Sequence, residues 1–393
     1  MKLLVTGDWH YRSQNPVARL DELQPALDAK LVEVGEVARR ERCEAVIVPG
    51  DLTDSPNLAY STLTRLENAI RGMGVQVWSV PGNHDEHAHS LDSLERTAYG
   101  HLVATGLVRD LSLRPVETDV VTVTGAGFSA STDGDASDYL ARPTANATKG
   151  SVRIHVAHGM LLERSPGFEL KHTLLEDVAR HPECPGLLIV GHEHLGFGVK
   201  RLPRASGGDL VAVNPGALVR LSAHPGEIER TVQICLLEVY PGVAPRCGAP
   251  GCEYELSRDG ARSEPAAGRE SHEWVVACPD CGGKTIVRLS EHGPPEVWGL
   301  GHPVVEATLI PLSSARPGHE VLSRQHIEAA ADREAKMGEF LGLLAREGEA
   351  KFLDLQAILE GVANTEGLPT EVVTEALRRI AAARESLGRG RAA

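Results

Sequence analysis

Seven side chains of metal-ligating type fall in five short blocks. They are Asp8 and His10 in Asp8-Trp9-His10, Asp51 behind Gly50, Asn83 within Gly82-Asn83-His84-Asp85, His158 ahead of Gly159, and His192 and His194 within Gly191-His192-Glu193-His194. Carboxylate and imidazole together suit borderline divalent cations such as manganese, iron or zinc, whereas an all-oxygen set would point to magnesium or calcium. Seven ligands are too many for one ion. A carboxylate such as Asp51 can bridge two cations about 3.5–4 Å apart, the separation found in hydrolytic two-metal sites. Glycines beside the ligands permit tight turns and close approach of an anionic substrate. An Asp-x-His triplet means little alone, and a lone His158 would more often be a packed core residue. The tetrapeptide Gly-Asn-His-Asp is different, since chance supplies it in about one chain of this length in a thousand.

These blocks follow apolar runs. Lys2 to Thr6, Ala45 to Val48, Val75 to Val80, Val152 to Ala157, Leu187 to Val190 and Leu210 to Val213 are short and rich in β-branched residues, as buried strands are. Between the first two, Leu20, Leu23, Leu27, Leu31, Val34 and Val37 recur every three or four residues, the mark of a helix with one buried face; Leu58 to Ile70 reads as another. Strands alternating with helices over residues 1–240 predict an α/β layered domain with helices packed on sheet. Ligands of such sheets bind beyond the carboxyl ends of the strands, so the five blocks should converge on one edge.

At 393 residues the chain exceeds one ordinary domain. The composition shift after residue 240 suggests three parts: a catalytic domain (1–240), a ribbon-like capping segment (241–312) and a helical region (313–393). A net charge of -14 argues against a surface that coats nucleic acid through bulk positive charge. Two bound divalent cations would cancel part of that charge where a substrate phosphate must sit. No apolar stretch approaches bilayer length, and the N-terminus reaches Asp8 and His10 too soon for a cleavable signal, so the expected location is the cytoplasm, off the membrane. Cys43, Cys184 and Cys235 are isolated in apolar surroundings and read as reduced core residues.

The other cysteines form two close pairs, Cys247 with Cys252 and Cys278 with Cys281. Such pairs fit one structural zinc of ribbon type; His272 is an alternative to one thiolate, and a disulfide is disfavoured in a reducing compartment. Further on, Phe340, Leu341, Leu343 and Leu344, then Phe352, Leu353, Leu355, Ile358, Leu359 and Val362, then Val372, Val373, Ala376, Leu377 and Ile380 recur at helical spacing.

The ordered blocks DWH, GDLTD, GNHD, AHG and GHEH, spread over residues 1–240, resemble the calcineurin-like metallophosphoesterase superfamily. That resemblance implies a β-sandwich flanked by helices, with a binuclear centre and water as nucleophile. Carried over by motif, Asp8, His10, Asp51 and His194 would hold one metal, and Asp51, Asn83, His158 and His192 the other. His84 would be the general acid, with Asp85 orienting its imidazole. Protein Ser/Thr phosphatases continue the second block with an Asp-Arg-Gly, whereas this chain has Asp54-Ser55-Pro56, so their phosphate-clamping arginine is missing there. The short first block, the PGNHD third block and the run Asn214-Pro215-Gly216-Ala217-Leu218-Val219-Arg220 look like the SbcD-type nucleases of double-strand-break repair. At that level the implied substrate is DNA, the implied metal manganese, and Arg220 a candidate contact to the DNA backbone. The C-terminal helices would then dock an SbcC-type coiled-coil ATPase, and a homodimer is left open. A small-molecule or nucleotide phosphodiesterase or phosphatase is the alternative.

Overall fold

Neighbouring residues of a strand face opposite ways, and in the first strand both ways are apolar: Leu3, Leu4 and Val5 are all fully buried. A strand of this kind must lie between two packed layers. The computed structural model describes residues 1–118, 120–141, 144, 151–240 and 304–325, the backbone of three short strands between 262 and 288, and scattered residues from 336 to 379. In chain order it contains β1 (Lys2–Val5), α1 (Leu23–Arg40), β2 (Ala45–Val48), α2 (Tyr60–Met73), β3 (Gln76–Ser79), α3 (Ala98–Ala104) and β4 (Val108–Asp110). There follow β5 (Val116–Glu117), β6 (Val121–Ala126), β7 (Val152–Gly159), β8 (Leu161–Leu162), β9 (Thr173–Leu174), α4 (Leu175–Arg180) and β10 (Leu187–His192). Then come β11 (Gly198–Pro203), β12 (Asp209–Asn214), α5 (Pro225–Glu229), β13 (Gln233–Tyr240), β14 (Arg262–Pro265), β15 (Glu273–Ala277), β16 (Lys284–Arg288), β17 (Val304–Pro311) and α6 (Gly318–Val321).

Two six-stranded sheets result, ordered β17-β13-β1-β2-β3-β4 and β11-β12-β10-β7-β6-β5. Strands β1 to β4 run parallel, as do β12, β10, β7 and β6. Alternation then sorts the side chains into layers. Leu3, Val5 and Ile47 of the first sheet share a core with Ile154, Val156 and Ile189 of the second, while Leu4, Val46 and Val48 pack with Leu27, Leu31, Leu66 and Ile70 of α1 and α2. On the far side Leu188, Val190 and Ala212 pack with Leu175 and Val178 of α4. The result is the expected sandwich of two sheets flanked by helices. All six strands read from the sequence are present. Helix α1 begins three residues later than the first leucine of its pattern: the Asn15 side chain accepts from the Leu23 amide at 2.7 Å, satisfying a free N–H there, and Leu20 is 53% exposed.

Strand β17 falls in the segment 241–312 and pairs antiparallel with β13 from Gln233↔Pro311 to Tyr240↔Val304. Strands β14, β15 and β16 form an antiparallel ladder. Cys247, Cys252, Cys278, Cys281 and His272 lie outside the described residues, as does most of the C-terminal helical pattern. Met1–Pro16 with Asp21–Val321 form one compact unit, and Val17–Leu20 with Leu322–Ala393 another. In the second, residues 371–376 are helical and Glu375 pairs with Arg378 and Arg379. No helix among the described residues is long and apolar enough to cross a membrane.

The run Asn214 to Arg220 straps two ligand-bearing loops together. The Ala217 amide donates to the His194 carbonyl at 3.0 Å, the Leu218 amide to the Asp8 carbonyl at 2.9 Å, and Asn214 Nδ2 to the Glu193 carbonyl at 3.0 Å. The strap passes so close to the first loop that a Cβ on Gly7 would stand 2.0 Å from the Gly216 carbonyl oxygen. Because the opposing atom is backbone, Gly7→Ala should cost about 3 kcal/mol or more of stability, and the urea midpoint of the variant should fall accordingly.

Candidate metal centre

Asp8, His10, Asp51 and His158 are buried and form a floor; Asn83, His84, His192 and His194 are half-buried and form its mouth. The first two loops are zipped together, with the Trp9 and His10 amides both donating to the Asp51 carbonyl at 3.0 and 2.9 Å and the Tyr11 amide to the Leu52 carbonyl at 3.1 Å. This lattice holds backbone conformations that would otherwise relax. His10, Asp51 and His192 have φ of 44°, 48° and 84°, and left-handed conformations of non-glycine residues cost of order 1–3 kcal/mol each. Gly82 lets the third loop close on the second, since a Cβ there would stand 2.2 Å from Asp51 Oδ1.

The expected ligands meet in two groups, and His10 also meets His84 and Asp54 in a third. Donor atoms of Asp8, His10, Asp51 and His194 lie within 4.8 Å of one another, and so do those of Asp51, His158 and His192. Within the first, His10 Nε2 and His194 Nε2 face each other at 2.9 Å, and His194 Nε2 is 3.5 Å from Asp8 Oδ2. Within the second, His158 Nε2 is 3.1 Å from Asn83 Oδ1 and 3.2 Å from His192 Nδ1. Asp51 belongs to both. Its Oδ1 accepts from the His84 amide at 2.8 Å, while Oδ2 stands 3.4 Å from His10 Nε2 and 3.4 Å from His158 Nε2. Atoms bound to one cation at about 2.0–2.2 Å lie about 3 Å apart, so these separations fit two ions sharing one carboxylate oxygen. One outer nitrogen is already engaged: His158 Nδ1 donates to the Pro49 carbonyl at 2.7 Å, which turns Nε2 inward.

Charge in the site is tightly interdependent. Burial would raise Asp51, but His158, His10 and His84 outweigh it and hold its carboxyl far below the ordinary range. Asp8 is pushed up to about 6 by burial and the Asp51 charge. Burial opposes protonation of His158, yet Asp51 and Asp8 raise it to about 10. His192 and His194 are lowered to about 3, by burial and then by neighbouring histidines. Cations entering such a site would compete with a proton on His158, whereas His192 and His194 favour the neutral form.

Two expectations change on contact with the structure. Asp85 does not reach His84. It is fully buried, and its carboxylate accepts from the amides of Leu52, Thr53 and Gly82 and from the Thr53 hydroxyl at 2.8–3.2 Å, so it knots the second and third loops. The imidazole of His84 is set instead by Asp54, whose carbonyl accepts from Nδ1 at 2.9 Å, and the Asp54 carboxylate lies 3.3 Å from His10 Nδ1. Asp54 sits in the GDLTD block but was not singled out from sequence; the block shows its presence, not which atoms it faces. Arg220, the candidate contact to the DNA backbone, is buried, with its guanidinium donating to the carbonyls of Glu227, Arg316 and Arg230 at 2.7–2.9 Å. It fastens the strap and does not project into the mouth. Phe128 was also missed: its ring stacks on His192 at 5.6 Å and meets His158 edge-on at 6.1 Å.

The family model described as calcineurin-like phosphoesterase matches residues 1–196, the stretch that carries all five ligand blocks. Through these residues the chain belongs to that family. Calcineurin-like phosphoesterases are metal-dependent hydrolases that typically bind two divalent cations, and the paired donor groups give this chain a candidate dimetal site. Among solved structures, an archaeal phosphodiesterase is 16% identical over 61% of this chain and 93% of its own, with a TM-score of 0.31. A dimetal phosphatase from Danio rerio is 11% identical over 74% and 99%, with a TM-score of 0.36, and a phosphoesterase from E. coli is 14% identical over 74% and 100%, with a TM-score of 0.28. Likeness of that degree decides no substrate. No curated protein matches the chain.

One buried carboxylate next to the centre is unsatisfied. Glu86 is 3% exposed, both its oxygens lack a hydrogen-bond partner, and burial followed by the Asp85 charge pushes its carboxyl up to about 7 from 4.5. The folded state thus binds this proton more tightly than the unfolded state, and ionisation costs stability above pH 7 but nothing below pH 4.5. In chelator-treated protein, the stability of Glu86→Gln relative to wild type should shift in the variant's favour by on the order of 3 kcal/mol between pH 4.5 and pH 8. Urea melts of both proteins across that range measure the shift.

Proposed function

We propose that the chain is a two-metal phosphodiester hydrolase acting on DNA, of the SbcD type. The observation that carries the hydrolase reading is the position of Asp51 Oδ2, 3.4 Å from an imidazole nitrogen of each donor group. Asp8, His10, Asp51 and His194 hold one cation and Asp51, Asn83, His158 and His192 the other, with manganese as the metal. When bound, such cations supply a hydrolytic nucleophile at neutral pH and offset charge on the phosphoryl oxygens. The protein's own part is placement. The Asp54 carbonyl occupies His84 Nδ1, which leaves Nε2 to hold or deliver a proton to the departing oxygen. Asp8, Asp51 and His158 bury the floor of the site away from bulk water.

DNA as substrate rests on the likeness of the PGNHD block and the Asn214–Arg220 run to SbcD-type nucleases. In the same reading the paired cysteines hold a structural zinc and the C-terminal helices dock a coiled-coil ATPase. The net charge of -14 favours a second reading, a small phosphodiester or nucleotide as substrate. Assays with manganese on duplex DNA, single-stranded DNA and bis(4-nitrophenyl) phosphate decide between them. The nuclease reading requires cleavage of DNA, and hydrolysis of the small ester alone overturns it. Asp51→Asn should be inactive and bind markedly less metal.

His84→Ala should keep both metals and lose roughly 10²–10⁴-fold in turnover on DNA. The loss should be smaller on a nitrophenyl diester, whose leaving group needs little protonation. Equal losses on both substrates would move His84 from proton donor to a positioning role.

A further inference from the structure

At the His84 end of the centre stands a cation that the hydrolysis described above leaves unused. Arg12 follows His10 by two residues. Its Nη1 lies 2.8 Å from Asp54 Oδ2, its Nε donates to the Gln14 carbonyl at 2.9 Å, and its side chain is 25% exposed. The same Asp54 stands 3.3 Å from His10 through its other carboxylate oxygen and takes His84 Nδ1 on its carbonyl. Through Asp54 the guanidinium is tied to the histidine that the proposed function assigns to the leaving group. A guanidinium has five N–H donors, and the two contacts engage only two of them. Nη2 meets no partner among the described residues.

An arginine paired to an aspartate is often a pin and nothing more. Two features separate this one from Arg220, which is a pin: Arg220 is buried with its nitrogens spent on three carbonyls, whereas Arg12 keeps part of its fork and part of its surface at the mouth. A planar fork with uncommitted N–H groups is suited to phosphate oxygens. We propose that Arg12 is a specificity residue that binds a second phosphate on the leaving-group side of the scissile ester. The centre then prefers diesters inside a phosphorylated chain to diesters whose leaving group is neutral. This rests on the phosphodiesterase reading and names which diesters the site selects.

The test uses the full-length, manganese-loaded protein and three dinucleotides: thymidylyl-(3′→5′)-thymidine, and the same molecule with a phosphate added at its 5′ or its 3′ end. The quantity read is the gain in kcat/KM on adding the phosphate, which cancels any effect of a variant on the bare dinucleotide. In wild type, one of the two added phosphates should raise kcat/KM about 10- to 100-fold, the scale of a hydrogen bond to a charged group. In Arg12→Ala that gain should fall to within about threefold of unity. Arg12→Gln, which keeps the length and a hydrogen-bond donor at the Asp54 side, should lose it too and covers the case in which the alanine variant does not fold. Binding of the same dinucleotides by calorimetry should show the same loss. A gain that persists in both variants, or no gain in wild type, overturns the assignment of Arg12 alone. If none of the dinucleotides is cleaved while bis(4-nitrophenyl) phosphate is, the nuclease reading falls and the Arg12 assignment with it.

Discussion

Three carboxylates, Asp8, Asp51 and Asp85, are buried side by side, and the rest of the catalytic half is built around tolerating that. Ions taken out of water cost several kcal/mol each unless paired or fully hydrogen-bonded. Each is accommodated differently. Asp85 is saturated by three amides and a hydroxyl, so its charge is spent on architecture. Asp8 accepts the His192 amide at 2.9 Å and sits near pH 6. Asp51 gives one oxygen to the His84 amide and turns the other toward two histidines. The oxygen that is not saturated by backbone is the one that faces both donor groups. A binding site for cations is what remains when backbone donors have taken everything else.

The features legible in the sequence are the local ones. A run such as Ala45 to Val48 is a buried strand because its composition permits little else, and Gly-Asn-His-Asp at the end of the next strand states its chemistry in four letters. Although the second sheet was implied only by the family resemblance, the packing of helices on sheet was legible too. Partner choice was not. Sequence places Asp85 next to His84, but adjacent residues on a tight loop point apart, and the carboxylate went to amides on the second loop. Arg220 is a charged residue in a loop, and nothing in its neighbourhood of sequence says that two carbonyls from the end of α5 and a third from Arg316 will surround it. Strand β17 shows the same limit at larger scale: its pairing with β13 crosses more than sixty residues, and the pattern of Val304 to Pro311 does not name its neighbour.

The glycines make a related point. Beside metal ligands they suggest room for substrate, yet at Gly7 and Gly82 the space is taken by the protein's own chain. Tight loops carrying ligands from different strands can meet only if nothing but backbone lies between them. Phe128 adds an apolar wall, its ring stacked on His192 and edge-on to His158.

The strap from Asn214 to Arg220 also sets an order of events during synthesis. Asp8 leaves the ribosome well before Leu218, β13 and β17, but its loop is gripped by the Leu218 amide, and β1 is flanked by β13, whose own edge is covered by β17. Until the chain has grown past residue 311, the first strand has one unpaired flank or an unfinished neighbour. The cluster around Asp8 closes late although Asp8 itself emerges early, and a complete candidate metal centre waits on strands that lie as far along the chain as residue 311.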